Sequence, residues 1–253
     1  MRSLLRSLWR LLVLVMLAGI ALQVYFAARI ALMAVIDPQS TTFQRSEAWR
    51  LLTEKSQILW SQQWVPYERI SPNLKRAVIA SEDAEFAEHG GVDWDAIEKA
   101  WERNQRAEER ADRLSAQLSR RGATAPPPRP VKVVGGSTIT QQLAKNLFLG
   151  SERSLARKGQ EFVITMMLEA LLSKQRILEI YLNSVEWGEG LFGAQAAARH
   201  YFRTDAQSLG VMQAARLAVM LPAPKRFEKR PGSAYVVGRA GTIAARMGSI
   251  DPP

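Results

Sequence analysis

The sequence predicts a mainly α-helical protein preceded by one N-terminal transmembrane helix, and three observations carry that prediction. Residues 11–36 are almost all apolar, with only Gln23 and Arg29 interrupting the run. Beyond residue 70 apolar residues recur at spacings of three and four, the period of helices with one buried face. No stretch of any length alternates apolar with polar residues as a half-buried strand would. With 253 residues, 47% of them hydrophobic, the chain can bury one good-sized core.

The elements follow in order. Leu11 to Ala28 is about long enough to cross a hydrocarbon core as a helix. Arg2, Arg6 and Arg10 precede it, so the positive-inside rule puts the N-terminus in the cytoplasm and the remaining chain on the far side. A cleaved signal peptide is the rival reading, but the run is long for one and no clear A-x-A site closes it. Residues 1–36 therefore read as a cytoplasmic stub and anchor, and 37–70 as a juxtamembrane segment. There Phe43, Trp49, Trp60, Trp64 and Tyr67 lie among cations and glutamines, a mixture that suits a membrane interface or a helix packing its aromatics into the core.

Residues 71–253 read as one domain. Ser71-Pro72 gives the N-cap and first residue of a helix on which Leu74, Ala77, Val78 and Ser81 recur. Asp93 can cap a second, with Trp94, Ile97 and Trp101 on one face, ordinary as structure. From Glu102 to Val134 a highly charged run gives way to four prolines. A solvated helix followed by an extended linker is the reading preferred there over a partner-binding arm, and the charged, Pro-rich part makes an insertion at about 106–134. Further helices are expected over 137–148, 155–172, 175–183, 193–202 and 209–221, with a last one carrying Val236, Ala240, Ile243 and Met247.

Thirty-four Lys plus Arg against 24 Asp plus Glu give a net charge of +10, which favours anionic partners. Export on a membrane tether sets chromosomal DNA aside and leaves lipid headgroups and lipid phosphates. The absence of cysteine fits an extracytoplasmic compartment without demanding disulfides.

Against that basic background SEDAEFAEHGG, residues 81–91, crowds Glu82, Asp83, Glu85 and Glu88 into seven positions. GGSTITQQLAKNLF, residues 135–148, opens a helix with capping-box spacing between Thr138 and Gln141, a natural seat for an anion to which Lys145 adds charge. Arg157 and Lys158 precede Glu161 by four and three residues, the spacing of a solvated ion pair. RILEIYLNSVEWGEGLFGAQAAARHYF, residues 176–202, spaces Gly188, Gly190 and Gly193 through a turn region between two helices. Each stretch alone has a structural explanation.

Together and in this order they resemble the family 51 glycosyltransferases, the peptidoglycan glycosyltransferases that polymerise lipid II. E-D-x-x-F-x-x-H-x-G is met by Glu82, Asp83, Phe86, His89 and Gly91; G-x-S-T-I-T-Q-Q-x-x-K-N by Gly135 to Asn146; R-K-x-x-E by Arg157, Lys158 and Glu161; R-I-L-E-x-Y-L-N by Arg176 to Asn183. The resemblance covers about Trp64 to Met247, and with one membrane helix and no S-x-x-K transpeptidase motif the chain looks monofunctional. It implies a lysozyme-like α-helical domain.

It also implies roles. Glu82 would be the general base. Glu161 would be a second essential carboxylate, holding a divalent cation, Mg²⁺ or Mn²⁺, or orienting its basic neighbours. Asp83, Ser137, Thr138, Thr140, Gln141, Gln142, Lys145, Asn146, Arg157 and Lys158 would bind substrate, the cations and the helix start gathering around its diphosphates. Glu85 and Glu88 fall on free positions of the signature, and His89 is expected in a structural hydrogen bond. The implied partners are lipid II, the growing lipid-linked glycan strand, the bacterial inner membrane, and cell-division or elongation synthases, with no nucleic acid and the catalytic domain periplasmic. Thr165, Gln213 and Ala223 depart from the family's habit outside the catalytic positions, and the insertion is longer than usual between the first two motifs. A lytic muramidase and a catalytically silent scaffold are the competing readings; the cationic second motif disfavours the first, and intact Glu82 and Glu161 disfavour the second.

Overall fold

The computed structural model describes residues 2–120, 136–150, 152 and 154–253. Helix α1 runs over Arg2–Leu32, 31 residues. At 1.5 Å per residue it is roughly 46 Å long, more than the ~30 Å of a hydrocarbon core. Leu4–Leu32 within it is long and apolar enough to cross a membrane. Residues 4–22 are almost all exposed, as a lipid-facing helix would be, whereas Phe26 and Ile30, with Met33 just beyond the helix, are buried against the rest of the protein.

Helix α2 (Thr42–Lys55) begins with a capping box: the Thr41 hydroxyl accepts from Gln44 N–H and the Gln44 side chain accepts from Thr41 N–H. It turns Gln44, Glu47 and Leu51 inward and leaves Trp49 68% exposed. The aromatic residues of this region thus divide. Trp60 stacks on Phe192 at 4.5 Å between centroids and Tyr67 is buried, while Trp49 faces outward. The hydrophobic core consequently draws on residues before 71 as well as after it.

A small three-stranded sheet corrects the strand-free expectation: β1 (Ser61–Gln62), β2 (Glu186–Gly188) and β3 (Leu191–Phe192), in the order β1-β3-β2. β1 is parallel to β3 and β2 antiparallel to it. Strands of two and three residues are too short for alternation to show. Gly190, at φ +69°, makes the β2–β3 turn, and a Cβ there would sit 1.9 Å from the Leu59 carbonyl oxygen, so only glycine fits.

The other helices are α3 (Pro72–Glu82), α4 (Trp94–Arg120), α5 (Ile139–Phe148), α6 (Leu155–Leu171), α7 (Lys174–Ser184), α8 (Ala194–Phe202), α9 (Val211–Met220), α10 (Pro224–Phe227) and α11 (Ala234–Arg246). Helices α3, α9 and α11 pack as one group and α5, α6 and α7 as another, with Tyr181, Trp187 and Phe86 fully buried among them. α4 departs from its expected ordinary packing. Trp94 and Trp101 are 67% and 66% exposed, and only Ala100 is buried along its described side chains. Its charged half is helical and solvated, as expected. The proline stretch proposed as a linker lies outside the described residues.

Candidate active site

Helix α3 delivers Glu82 as its last residue. Ser71 caps its first turn, Pro72 starts it, and Asp83 N–H closes it on the Ile79 carbonyl. Glu82 is half-buried, and its Oε2 accepts from Gln142 Nε2 at 2.9 Å. The Gln142 oxygen in turn accepts from the fully buried Tyr181 hydroxyl, also at 2.9 Å, which fixes which end of the amide meets the carboxylate. Burial, reinforced by the neighbouring Asp83 charge, raises the Glu82 pKa above that of an ordinary glutamate, although the Gln142 and Ser81 hydrogen bonds work the other way.

Asp83 is spent inside the protein. Its Oδ1 accepts from His89 Nε2 at 2.7 Å, and its Oδ2 accepts from the Ile139 N–H, the first residue of α5, at 2.9 Å. Here the structure alters the expected seat: the anion held at the α5 N-terminus is Asp83 itself. Three other expected substrate contacts go to the same end. Thr138 donates to the Gly91 carbonyl at 2.7 Å and forms a capping box with Gln141, while Thr140 donates to Glu169 at 2.6 Å. All three are buried, because positions 138, 140 and 141 turn toward the core and a capped helix start has few N–H groups left to offer. Ser137 is exposed beside them.

His89 holds the loop shut. Gly91 N–H donates to its Nδ1 at 3.1 Å, so the proton of the neutral ring sits on Nε2, facing Asp83. Burial opposes charge on the ring, but Asp83 outweighs it, and the His89 pKa lies above its usual value. Lys174 Nζ donates to the His89 carbonyl at 2.6 Å and to Glu169 at 2.9 Å. Glu85 and Glu88 point to solvent.

The outward face of α5 carries Gln142, Lys145 and Asn146, at i, i+3 and i+4. Lys145 is accessible, yet enough protein surrounds it for burial to depress its pKa; Arg157 and Lys158 push the same way and Glu161 opposes them. An accessible amine that behaves as desolvated sits in a recess, across from α6. There Arg157 Nη1 meets Glu161 Oε2 at 2.7 Å and Lys158 Nζ meets Oε1 at 2.5 Å. Glu161 is 5% exposed, and Arg157 Nε is buried without a hydrogen-bond partner. Three cations against one carboxylate leave two positive charges. One face of α5 therefore joins a carboxylate of raised pKa at Gln142 to a cationic recess about one turn further on at Lys145.

Sequence reasoning missed Tyr181 as the group behind Gln142, though it occupies a fixed position of the fourth motif. It also passed over Glu186, buried on β2, whose pKa burial pushes up to about 7 despite Lys225 at 3.7 Å. Lys225 is engaged more closely by Glu47, at 2.6 Å.

The family model for transglycosylases matches residues 51–125 and 128–248. The chain belongs to the transglycosylase family. Its core helices accordingly form the helical, lysozyme-like domain of that family. The transglycosylase is 52% identical over 236 residues to a protein of Burkholderia lata named biosynthetic peptidoglycan transglycosylase, covering 93% of this chain and 87% of the relative. A protein of the same name from Paraburkholderia xenovorans is 49% identical over 239 residues, 94% of this chain and 90% of the relative. One from Burkholderia pseudomallei is 51% identical over 236 residues, 93% and 84%.

Proposed function

We propose that this transglycosylase polymerises lipid II into the glycan strands of peptidoglycan. The acceptor's GlcNAc 4-hydroxyl attacks C1 of the donor's MurNAc, the C1–oxygen bond to phosphate breaks, configuration inverts, and undecaprenyl pyrophosphate leaves with the bonding electrons. The observation that carries the reading is the two-ended site on α5, a carboxylate of raised pKa followed by a recess of net positive charge. Glu82 takes the acceptor's proton, and a base of raised pKa binds that proton better than an ordinary glutamate does. Lys145, Arg157 and Lys158 neutralise the departing diphosphate, which removes the need for a strong general acid. Gln142 and Asn146 share that outward face of α5 with Lys145, while Asp83, Thr138, Thr140 and Gln141 act through the loop and helix they hold.

The donor set does not fit a resident divalent ion. Both oxygens of Glu161 already face cations, and no group of three or more His, Asp or Glu converges among the described residues. Mg²⁺ or Mn²⁺ would enter with the diphosphate, whose oxygens supply the missing ligands, and no step above depends on it. Arg2, Arg6 and Arg10 in the first turns of α1, ahead of its apolar run, support an inner-membrane anchor with the domain on the periplasmic side, where the lipid-linked substrate is met. Incubation of the full chain with purified lipid II tests the reading: glycan polymer is expected from wild type, and Glu82→Gln should lose about 10²-fold to 10⁴-fold in turnover. Fragments released from sacculi, with no polymer made, would sink it in favour of a lytic enzyme.

A further inference from the structure

Between Arg10 and Arg29 the only amide in α1 is Gln23, set within the apolar run. An unpaired amide there is costly against hydrocarbon, so its partner matters. Gln23 Nε2 donates to Gln160 Oε1 at 2.9 Å, and Gln160 Nε2 donates back to Gln23 Oε1 at 3.0 Å. Among the described residues these two are the hydrogen bonds that join α1 to α6. Phe26, Ile30 and Met33 continue from Gln23 at three, seven and ten residues on, one stripe facing the domain, all buried. Phe26 meets Phe148, the last residue of α5, edge-on at 5.2 Å, and the Arg29 guanidinium lies 5.8 Å from the same ring. The membrane helix therefore abuts both helices that build the cationic recess, and its directional tie to α6 is one residue from Glu161. Apolar contacts tolerate sliding and small rotations, whereas a reciprocal pair of hydrogen bonds does not, since each weakens steeply once its angle is lost.

We propose that Gln23 is a positioning residue for glycosyl transfer: paired with Gln160, it fixes the rotation and height of α6 against the membrane helix, and so presents Arg157, Lys158 and Glu161 at the level where a lipid-linked diphosphate reaches the bilayer surface. The proposal rests on the reading of α6 as the diphosphate seat. A passive tether would raise the local concentration of substrate and act through KM. A positioning contact acts on the transition state and shows in kcat.

The experiment uses the full-length protein in vesicles containing lipid II and compares Gln23→Leu, Gln160→Leu, the double variant and Glu161→Gln, with thermal melts of each. Leucine at position 23 inserts into a membrane at least as readily as glutamine. The proposal expects each single variant to lose about tenfold in kcat with KM within about twofold of wild type, and the double to be no worse than either single, because the pair acts as one unit. If both single variants keep wild-type kcat while Glu161→Gln is inactive, the pair has no positioning role and the reading of the seat stands. If the singles change only KM, or lose kcat only in proportion to a fall in folded protein, the anchor is a tether or a structural prop and the proposal is overturned. If Glu161→Gln keeps full turnover, the seat is misassigned and the proposal falls with it.

Discussion

Tyr181 shows how a side chain that never meets substrate can set the chemistry of one that does. Its hydroxyl holds the Gln142 oxygen, so the Gln142 nitrogen is presented to Glu82, and that hydrogen bond favours the ionised carboxylate. Tyr181→Phe frees the amide to turn. Glu82 then loses a donor, its pKa rises further, and the pH at which the base becomes half-ionised moves up. The acid limb of the pH–rate profile for lipid II polymerisation should accordingly shift to higher pH; an unmoved limb would show that the hydroxyl does not reach the base. Lys145→Ala should instead weaken both lipid II and a phosphate-bearing inhibitor such as moenomycin, measured by displacement binding, because it removes charge from the recess and leaves Glu82 in place. Unchanged inhibitor affinity would remove Lys145 from the diphosphate seat. Glu82, Arg157, Lys158 and Glu161 were singled out through the family resemblance, carried by the order of four motifs, because each stretch alone has a structural explanation. The division of GGSTITQQLAKNLF into a buried capping half and an outward half was not legible in the sequence. The same residue types serve both purposes, and only the rotation of α5 decides which of them face the core.

Among the elements, β2 carries an electrostatic cost outside the active site. It places Glu186 in the core beside Glu47, Glu228 and Lys225, and burial pushes its pKa to about 7. Glu47 goes the other way: burial alone would raise its pKa, but hydrogen bonds from Arg50 and Lys225 outweigh that and lower it. Lys225 is thus committed to Glu47 and serves Glu186 only at a distance. A carboxylate whose folded pKa exceeds its unfolded value makes the native state bind the extra proton, so its cost is absent below the unfolded pKa and complete above the folded one. Between about pH 4.5 and 7, that cost grows as pH rises. Glu186→Gln removes it, and the variant should gain roughly 1–3 kcal/mol over wild type at pH 8, the gain all but vanishing by about pH 4. Paired thermal melts at the two pH values decide this, and a gain of equal size at both would mean that packing, not ionisation, is responsible. The strand itself could not be read from sequence, since three residues cannot display a period of two. α4 was the converse case. Its Trp94, Ile97 and Trp101 have the spacing of a buried face, and they lie outside because spacing reports which residues share a side and not what that side meets.

Taken as a whole, the molecule does not divide where its composition changes. Residues 1–36 look like a detachable anchor, and by sequence their removal should leave the catalytic part intact. The packing says otherwise, because Phe26, Ile30 and Met33 are buried with the core, and Arg176 Nε donates to the Met33 carbonyl at 2.7 Å while its fork also reaches Asp37 and Glu179. Burying each of those three side chains contributes about 1.5–3 kcal/mol, an upper estimate against an extended unfolded chain. Together that is on the order of 5 kcal/mol, a large share of the 5–15 kcal/mol that typically separates a folded domain from its unfolded state. Two truncations measured in the same detergent distinguish the alternatives. Removing residues 1–20 spares Gln23 and the whole buried stripe, and should leave the melting temperature within a few degrees of the full chain. Removing 1–36 strips the stripe and should lower it by roughly 10–20 °C, or prevent cooperative unfolding altogether. The same pair separates stability from catalysis. The shorter deletion loses most of the membrane span but keeps the α1–α6 contact, so its turnover on detergent-solubilised lipid II should stay close to that of the full chain. If the two truncated proteins instead melt together, the end of α1 adds nothing to the core, and the membrane helix is the detachable anchor that its composition suggests.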